Sequence, residues 1–210
     1  MRLCFVRHGE STANLLGEYS NNGFKHPLTG KGVEQARLLA GSFDGLPVER
    51  IYSSPVMRAV QTAQILAESL HAPLECTEAL REWSVGIYEG TTDPAGWKLH
   101  RQVQEDWYFH GRLESKMPGG ESFLDIRERF VPFIEGLGQE GQGSNQTVVL
   151  VGHGGLYLAM LPVVLKNVDI ALALQHEVPY TGCILAETQP DGLRCVSWCG
   201  VPLEATGSVR

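Results

Sequence analysis

Short apolar runs that end in glycine or a polar turn recur along this chain and define its predicted architecture. Residues 3–6 and 147–151 are the clearest examples, since each is brief, bounded and rich in β-forming side chains. Runs of this kind are typical of strands buried on both faces of a parallel sheet. Residues 48–54 and 74–77 predict two further strands. We therefore expect strands to alternate with helices.

The segments between these strands carry apolar positions at helical spacing. Three of them begin at a side chain that can cap a helix N-terminus: residues 29–43 at Thr29, 54–70 at Ser54 and 122–137 at Ser122. Pro55 also suits the first position of the second helix. Residues 156–165 are almost entirely apolar and predict a deeply buried helix that begins at Gly154 and Gly155.

The C-terminal part of the chain predicts a hairpin. Residues 182–187 and 193–198 are rich in β-formers and flank the Gln-Pro-Asp-Gly turn of residues 189–192. The last strand is therefore expected to be antiparallel at the edge of the sheet. Residues 136–146 predict a connector rich in glycine and glutamine, and residues 204–210 predict a frayed tail.

Together these elements predict the α/β fold class. We expect a single three-layer domain with a mostly parallel central sheet, helices on both faces, an antiparallel edge strand and a helical lid excursion. The domain is expected to span residues 1–203, with the excursion at about 91–121 and a tail at 204–210. A chain of 210 residues and 23.0 kDa suits one domain with a full core.

Composition narrows the kinds of partner. A hydrophobic content of 43% and a charged content of 20% are usual for a globular protein in water. No apolar run approaches the roughly 20 residues of a membrane span. The N-terminus begins with a predicted strand rather than a charged and then apolar leader, so we expect a cytoplasmic protein. A net charge of −7 argues against nucleic acid, so an anionic ligand would need a local cluster of cations.

The five cysteines give no sign of metal or thiol chemistry. They stand at positions 4, 76, 183, 195 and 199, with neither a Cys-x-x-Cys pair nor metal-ligand spacing. We expect reduced thiols packed as small hydrophobic side chains. Cys76 also fails the phosphatase pattern in which five residues separate cysteine from arginine, because Arg81 comes one residue too early.

Candidate catalytic residues lie at the ends of two predicted strands. Arg7 and His8 follow the first apolar run, and His153 follows residues 147–151. Ligands of open α/β sheets bind at the carboxyl ends of strands, where the next helix offers its N-terminus. A neutral imidazole is a nucleophile near neutral pH, and a guanidinium pairs with anions. This combination indicates phosphate chemistry, whereas in an unrelated α/β binding domain the two histidines would lie far apart.

Two further charged residues extend this candidate site. Arg58 falls in the first turn of a predicted helix, where a cation opposes the helix dipole, so we expect a bound phosphate to compensate it. The alternative is an exposed arginine. Glu82 follows the third predicted strand beside Trp83, where desolvation would raise the carboxyl pKa and make Glu82 a proton donor. Alternatively, Glu82 or Glu89 pairs with Arg81 at the surface.

Residues 93–116 mix aromatic and basic side chains, and two interpretations stay open. One is a lid whose inner face touches the substrate, and the other is the small hydrophobic core of a helical excursion. In both cases we expect specificity to reside here. The side chains concerned are Trp97, Trp107, Tyr108, Phe109, Lys98, Arg101 and Arg112.

The order of the candidate residues resembles the histidine phosphatase superfamily, in the branch that contains cofactor-dependent phosphoglycerate mutases and small phosphatases. The resemblance covers nearly the whole chain, with supporting segments at residues 28–32, 53–55 and 58–63. It is carried by four motifs: Arg7-His8-Gly9, Arg58, Glu82 and Gly152-His153-Gly154. It implies that His8 attacks phosphorus and becomes phosphohistidine, and that Glu82 protonates the leaving oxygen.

The resemblance also implies how the phosphoryl group is held. Arg7, Arg58 and a cationic His153 would bind and stabilise it during catalysis, with Asn14 and Gly154 as further binding residues. No cofactor and no metal is expected. The expected partner is a small phosphorylated substrate, without nucleic acid or membrane, and a homodimer is left open.

The loop after Glu82 favours a phosphatase over a mutase. The mutases of this family carry Glu-Arg-His-Tyr-Gly where residues 82–86 are Glu-Trp-Ser-Val-Gly, so Trp83 and Ser84 replace a basic pair suited to a substrate carboxylate. The Gly-Gly-Glu-Ser of residues 119–122 is similar to the phosphatase members. We therefore expect a phosphomonoesterase. The alternatives are mutase-type phosphoryl transfer and a non-catalytic relative that binds phosphorylated ligands.

Overall fold

One mixed sheet forms the centre of the molecule. The computed structural model describes residues 1–43, 45–140 and 144–203. Within these ranges the sheet has seven strands: β1 (Arg2–Arg7), β2 (Val48–Ser53), β3 (Leu74–Cys76), β4 (Thr147–Gly152), β5 (Cys183–Gln189), β6 (Gly192–Trp198) and β7 (Val201–Pro202). Their spatial order is β3-β2-β4-β1-β5-β6-β7.

The sheet is parallel at its centre and antiparallel on one side. Strands β3, β2, β4 and β1 pair in parallel, and β5 then pairs with β1 in antiparallel. The mostly parallel centre and the hairpin of β5 and β6 confirm the predicted fold class. The sequence predicted that the second strand of this hairpin lies at the edge of the sheet. In the structure β7 pairs with β6 and forms the edge instead.

Seven helices lie in the described part of the chain: α1 (Thr12–Leu16), α2 (Gly30–Gly41), α3 (Met57–Leu70), α4 (Pro94–Phe109), α5 (Phe123–Glu140), α6 (Gly154–Val164) and α7 (Ile170–Gln175). Short 3₁₀ turns occur at Glu78–Leu80 and Gly86–Tyr88. None of these helices is long and apolar enough to cross a membrane.

Two predicted boundaries were wrong. Helix α3 starts at Met57 with Val56 as its N-cap, rather than after Ser54, because the Ser54 hydroxyl is used in a turn and at the candidate site. Helix α5 continues to Glu140, since Leu137 is buried in the core and anchors the last turns. The predicted connector is therefore helical over residues 136–140. Residues 141–143 and the predicted tail at 204–210 lie outside the described residues.

Alternating side chains on the central strands bury two separate cores. Leu3 and Phe5 of β1 face α5 and α6, while Cys4 and Val6 face α2 and α3. Strand β4 alternates in the same way. Burial on both faces explains why these runs are continuously apolar. It also confirms the predicted three layers and brings the carboxyl ends of β1 and β4 together.

Candidate active site

Strands β1 and β4 place two histidines side by side. Arg7 lies opposite Gly152 in the parallel register, so His8 and His153 follow at the same edge of the sheet. Their ring centroids are 5.1 Å apart, with the ring planes at 62°. Both side chains are buried, at 3% and 0% exposure. The arrangement expected from the strand ends is therefore present.

Hydrogen bonds fix the tautomer of His8. Its Nδ1–H donates to the Gly9 carbonyl at 2.7 Å, and the Arg58 Nε–H donates to its Nε2 at 2.8 Å. Arginine is always a donor, so Nε2 must carry the lone pair. Burial, followed by the charge of Arg58, holds the pKa of His8 well below its ordinary value. His8 is therefore a neutral imidazole whose Nε2 carries the lone pair, and this lone pair accepts the hydrogen bond from Arg58.

Arg58 connects the two histidines from the first turn of α3. Its Nη2–H donates to His153 Nδ1 at 3.1 Å, and its Nη1–H donates to the Ser20 carbonyl. The side chain is buried, with 5% exposure, so the alternative of an exposed arginine was wrong. Burial lowers the pKa of Arg58 to about 10, which leaves the guanidinium charged at neutral pH.

His153 is neutral in this structure, in contrast to the predicted cation. Because its Nδ1 accepts from Arg58, its Nε2–H is the donor to Ser54 Oγ at 2.8 Å. Burial, followed by the charge of Arg58, lowers the pKa of His153 well below its ordinary value. The prediction did not take account of a guanidinium within hydrogen-bonding distance of the ring.

Arg7, the residue before His8, carries a buried donor without a partner in the described part of the chain. Its Nη1–H donates to the Val178 carbonyl at 2.6 Å, and its guanidinium lies 4.3 Å from the centre of the Tyr180 ring. The buried Nε–H has no hydrogen-bond partner among the described residues. Buried donors are nearly always satisfied, so this group is suited to an oxygen of a bound anion. Gly154 packs directly against this side chain.

Glu82 reaches the N-terminus of α6 rather than the protein surface. Its Oε2 accepts from the Gly155 N–H at 3.0 Å, and its Oε1 accepts from the Trp83 N–H at 3.1 Å. Burial raises the pKa of this carboxyl, and the two backbone hydrogen bonds oppose the shift. The alternative of a surface pair was wrong, because Arg81 pairs with Glu78 at 3.3 Å.

Three positioning contacts were not predicted. Thr62 Oγ accepts from the Gly9 N–H at 3.1 Å, which holds the turn that carries His8. The Asn21 amide donates to the Trp83 carbonyl at 2.7 Å. Glu121 accepts from the Ser84 N–H at 2.7 Å and pairs with an arginine of α5. Thr62 lies one helical turn after Arg58, and this spacing is the signal that could have indicated its role.

Arg7, His8, Arg58 and Glu82 line one cavity of about 500 Å³, whereas His153 lies behind Arg58 and is not among its lining residues. Asn14 lies in its wall, and its side-chain oxygen accepts from the backbone N–H and the hydroxyl of Ser11. Helix α4 supplies Trp97, His100 and Gln104 to the same wall.

Helix α4 combines features of both interpretations of residues 93–116. Val103 and Trp107 are buried in the core, while Lys98 and Arg101 are exposed and do not line the cavity.

Across the described ranges, no group of three or more His, Cys, Asp or Glu side chains has the arrangement of a metal site.

Comparison with known proteins identifies the class of protein that this fold and site define. The profile of the histidine phosphatase superfamily (branch 1) matches residues 3–200. The chain therefore belongs to this superfamily, which confirms the resemblance.

Some relatives are named as phosphatases and others as mutases. "Putative phosphoserine phosphatase 2" of Hydrogenobacter thermophilus is 34% identical over 160 residues, which cover 76% of each chain. The solved structure of a mycobacterial glucosyl-3-phosphoglycerate phosphatase has a TM-score of 0.74 at 25% identity, covering 94% of this chain and 98% of that one. A phosphoglycerate mutase from Bacillus anthracis has a TM-score of 0.79 at 22% identity, covering 95% and 92%.

Proposed function

We propose that this protein is a phosphomonoesterase that hydrolyses a small phosphorylated metabolite through a phosphohistidine on His8. The observation that carries the proposal is the convergence of four groups on one cavity: the neutral Nε2 of His8, the guanidinium groups of Arg7 and Arg58, and the carboxyl of Glu82. Phosphoryl transfer depends mainly on positioning and charge stabilisation, and these groups supply both.

In the first step, the Nε2 lone pair of His8 attacks phosphorus and the bond to the ester oxygen breaks. The electron pair of that bond stays on the leaving oxygen, which takes the proton of the Glu82 carboxyl. The alcohol then departs, leaving phosphohistidine and a carboxylate. The raised pKa of Glu82 supports this role, since it keeps the carboxyl protonated at a higher pH than usual.

In the second step, water attacks the phosphohistidine and the bond between phosphorus and nitrogen breaks. The Glu82 carboxylate accepts a proton from this water, so the acid of the first step is regenerated. Inorganic phosphate leaves and His8 returns to the neutral imidazole. The chain's own side chains balance both steps, so no metal ion is included in the proposed mechanism.

Binding of the phosphoryl oxygens is assigned to the cations and donors around His8. The Nε–H of Arg7 has no partner among the described residues, and each Nη of Arg58 keeps a second N–H beyond its hydrogen bonds to Ser20 and His153. Gly154 lies at the start of α6, where backbone N–H groups favour anions. Asn14 lies in the cavity wall, and His153 Nδ1 accepts from Arg58 and so holds this guanidinium in place.

Hydrolysis is favoured over mutase activity by the loop that follows Glu82. Trp83 is buried, at 1% exposure, so this position offers the substrate no cation. Mutase-type transfer is kept as a second candidate because some relatives are named phosphoglycerate mutases. The two differ in the acceptor of the phosphoryl group, which is water in one case and a phosphoglycerate in the other.

The proposed function is tested by phosphate release from p-nitrophenyl phosphate in excess EDTA. We expect turnover that EDTA does not lower, since the proposed mechanism uses no metal. Absence of turnover from this ester and from a panel of sugar phosphates and phosphoglycerates would contradict the proposal and favour a non-catalytic relative.

A substitution at Gly155 tests the position of Glu82. A Cβ at residue 155 would lie 2.9 Å from Glu82 Oε2, so Gly155→Ala must displace the carboxyl. We expect kcat/KM for an alkyl phosphate to fall by about 10- to 100-fold, part of what a general acid contributes. Thermal unfolding checks that the variant is folded, because displacement of the carboxyl disturbs its hydrogen bonds with Gly155 and Trp83.

The control for this variant is Gly136→Ala in α5, where an added Cβ meets nothing within 4 Å. It changes the same residue type in a helix remote from the cavity, and its activity should equal that of the wild type. Unchanged alkyl phosphate turnover in Gly155→Ala would remove Glu82 from its assigned position.

A further inference from the structure

The charges that line the cavity limit what a substrate can carry beyond its phosphate. Among the described lining residues, Arg7 and Arg58 supply the arginine and lysine charges. Arg58 donates to His8, Arg7 lies over the Tyr180 ring, and both are assigned to the phosphoryl oxygens. A substrate carboxylate would therefore need a third cation. An anion that is taken out of water without a partner carries a large energetic penalty.

The wall formed by α4 presents neutral groups to the cavity. Trp97 stacks on Tyr19 with ring centroids 4.0 Å apart, and His100 stacks on Trp83 at 4.4 Å. Burial lowers the pKa of His100 to about 4, so this ring is uncharged at neutral pH. Gln104 completes the face with an amide. Aromatic and amide surfaces of this kind suit an uncharged, hydroxylated or aromatic group.

The rest of the described lining is mostly neutral. It includes the polar residues Asn14, Ser20 and Asn21 and five apolar residues: Ala13, Leu158, Ala173, Leu174 and Val178. Glu18 and Glu177 also line the cavity. Glu18 is paired with Lys25 and His26, and Glu177 Oε1 lies 3.8 Å from Arg7 Nη1. His176 is the remaining basic side chain of the described lining, and it directly precedes Glu177. A carboxylate on the substrate would have to compete with Glu177 for Arg7, and Glu18 offers it no cation.

We propose that this cavity selects phosphate monoesters of uncharged alcohols and discriminates against esters that carry a carboxylate. The inference rests on the proposed phosphatase function and concerns the same site. The inferred substrate differs from the one in the name of the relative called a phosphoserine phosphatase, because phosphoserine is an ester that bears a carboxylate.

Two matched pairs of esters test this selection. The first is sn-glycerol 3-phosphate against 3-phosphoglycerate, and the second is p-(hydroxymethyl)phenyl phosphate against p-carboxyphenyl phosphate. In each pair a hydroxymethyl group replaces a carboxylate of similar size. We expect kcat/KM to favour the hydroxymethyl ester by about tenfold or more in both pairs, the effect of an unpaired buried charge. An ester without turnover is measured as a competitive inhibitor of p-nitrophenyl phosphate hydrolysis.

A positive charge placed on the α4 wall should reduce the preference for the hydroxymethyl esters. Gln104→Arg adds a cation to the wall, and Gln104→Met removes the amide without adding charge. The measured quantity is kcat/KM for the hydroxymethyl ester divided by kcat/KM for the carboxylated ester of the same pair. We expect the arginine variant, and not the methionine variant, to lower this ratio by about fivefold or more. Thermal unfolding of both variants checks that they are folded.

The outcomes separate this inference from the proposed function. The inference would be overturned if the wild type had an equal or higher kcat/KM for the carboxylated ester in either pair. It would also be overturned if the arginine and methionine variants lowered the ratio of kcat/KM values equally. Lack of His8-dependent phosphate release from p-nitrophenyl phosphate, from all four esters and from the panel of sugar phosphates would overturn the proposed function instead.

Discussion

Replacement of His8 by alanine is expected to lower kcat/KM for p-nitrophenyl phosphate by about 10⁴-fold or more, the scale of losing a covalent nucleophile. His8 lines the cavity, and its Nε2 carries the lone pair that accepts from Arg58. His153 is not among the described residues that line the cavity, and its Nε2–H donates to Ser54, so it cannot take over this role. Steady-state release of p-nitrophenol measures the loss.

The variant must also be shown to fold. Loss of the imidazole leaves Arg58 Nε without its partner, so we expect the free energy of unfolding to fall by about 1–2 kcal/mol. His110→Ala is the matched control, since this histidine is exposed at the C-terminal end of α4. It should keep full activity. A His8→Ala protein that is folded and retains more than a few per cent of wild-type activity would rule out His8 as the nucleophile.

Glu82→Gln is expected to affect substrates according to their leaving groups. For an alkyl phosphate, whose alkoxide is a poor leaving group, kcat/KM should fall by roughly 10²- to 10⁴-fold. For p-nitrophenyl phosphate the loss should be far smaller, because the phenolate needs little protonation. The ratio of the two losses is the informative quantity. A glutamine can also disturb the contacts with Gly155 and Trp83, and this effect is common to both esters.

The control for this substitution is Glu78→Gln. Glu78 is an exposed carboxylate a few residues earlier, paired with Arg81, and both esters should be hydrolysed at the wild-type rate. Equal losses for the two esters in Glu82→Gln would remove the carboxyl from the acid role.

The Glu82 carboxyl also leads us to expect that kcat/KM depends on pH. Glu82 acts when protonated, so kcat/KM for the alkyl ester should fall as pH rises through its raised pKa. His8 acts when neutral, and its lowered pKa moves the acidic limb of the profile to lower pH. In Glu82→Gln the alkaline limb due to this carboxyl should vanish. Each ester is compared between wild type and variant, which cancels the titration of the phosphate itself.

The sequence was sufficient to predict the central sheet and the edge at which the site lies. Continuous apolar runs require burial on both faces, and the carboxyl ends of neighbouring parallel strands meet at one edge. The positions of His8 and His153 follow from these two facts alone. Glu82 required a further assumption, because its neighbour Arg81 offered an equally suitable surface partner.

The details that sequence patterns missed depend on contacts between distant segments. Ser54 looked like a helix cap, but its hydroxyl accepts from His153, so α3 starts later. The neutral state of His153 depends on Arg58, which comes from another helix. On α4, the spacing of Trp97 and Gln104 is visible in the sequence. The sequence does not show which face of α4 lies along the cavity. In the structure, burial of Trp107 in the core fixes the orientation of this helix.

The most direct test of the phosphohistidine is capture of the phosphorylated protein. Wild type and His8→Ala are mixed with p-nitrophenyl phosphate labelled at phosphorus, denatured in alkaline detergent at early times, and assayed for bound label. We predict label on the wild type that survives base and is lost in acid, and none on His8→Ala. Turnover without such label, or equal labelling of the two proteins, would contradict a phosphohistidine on His8.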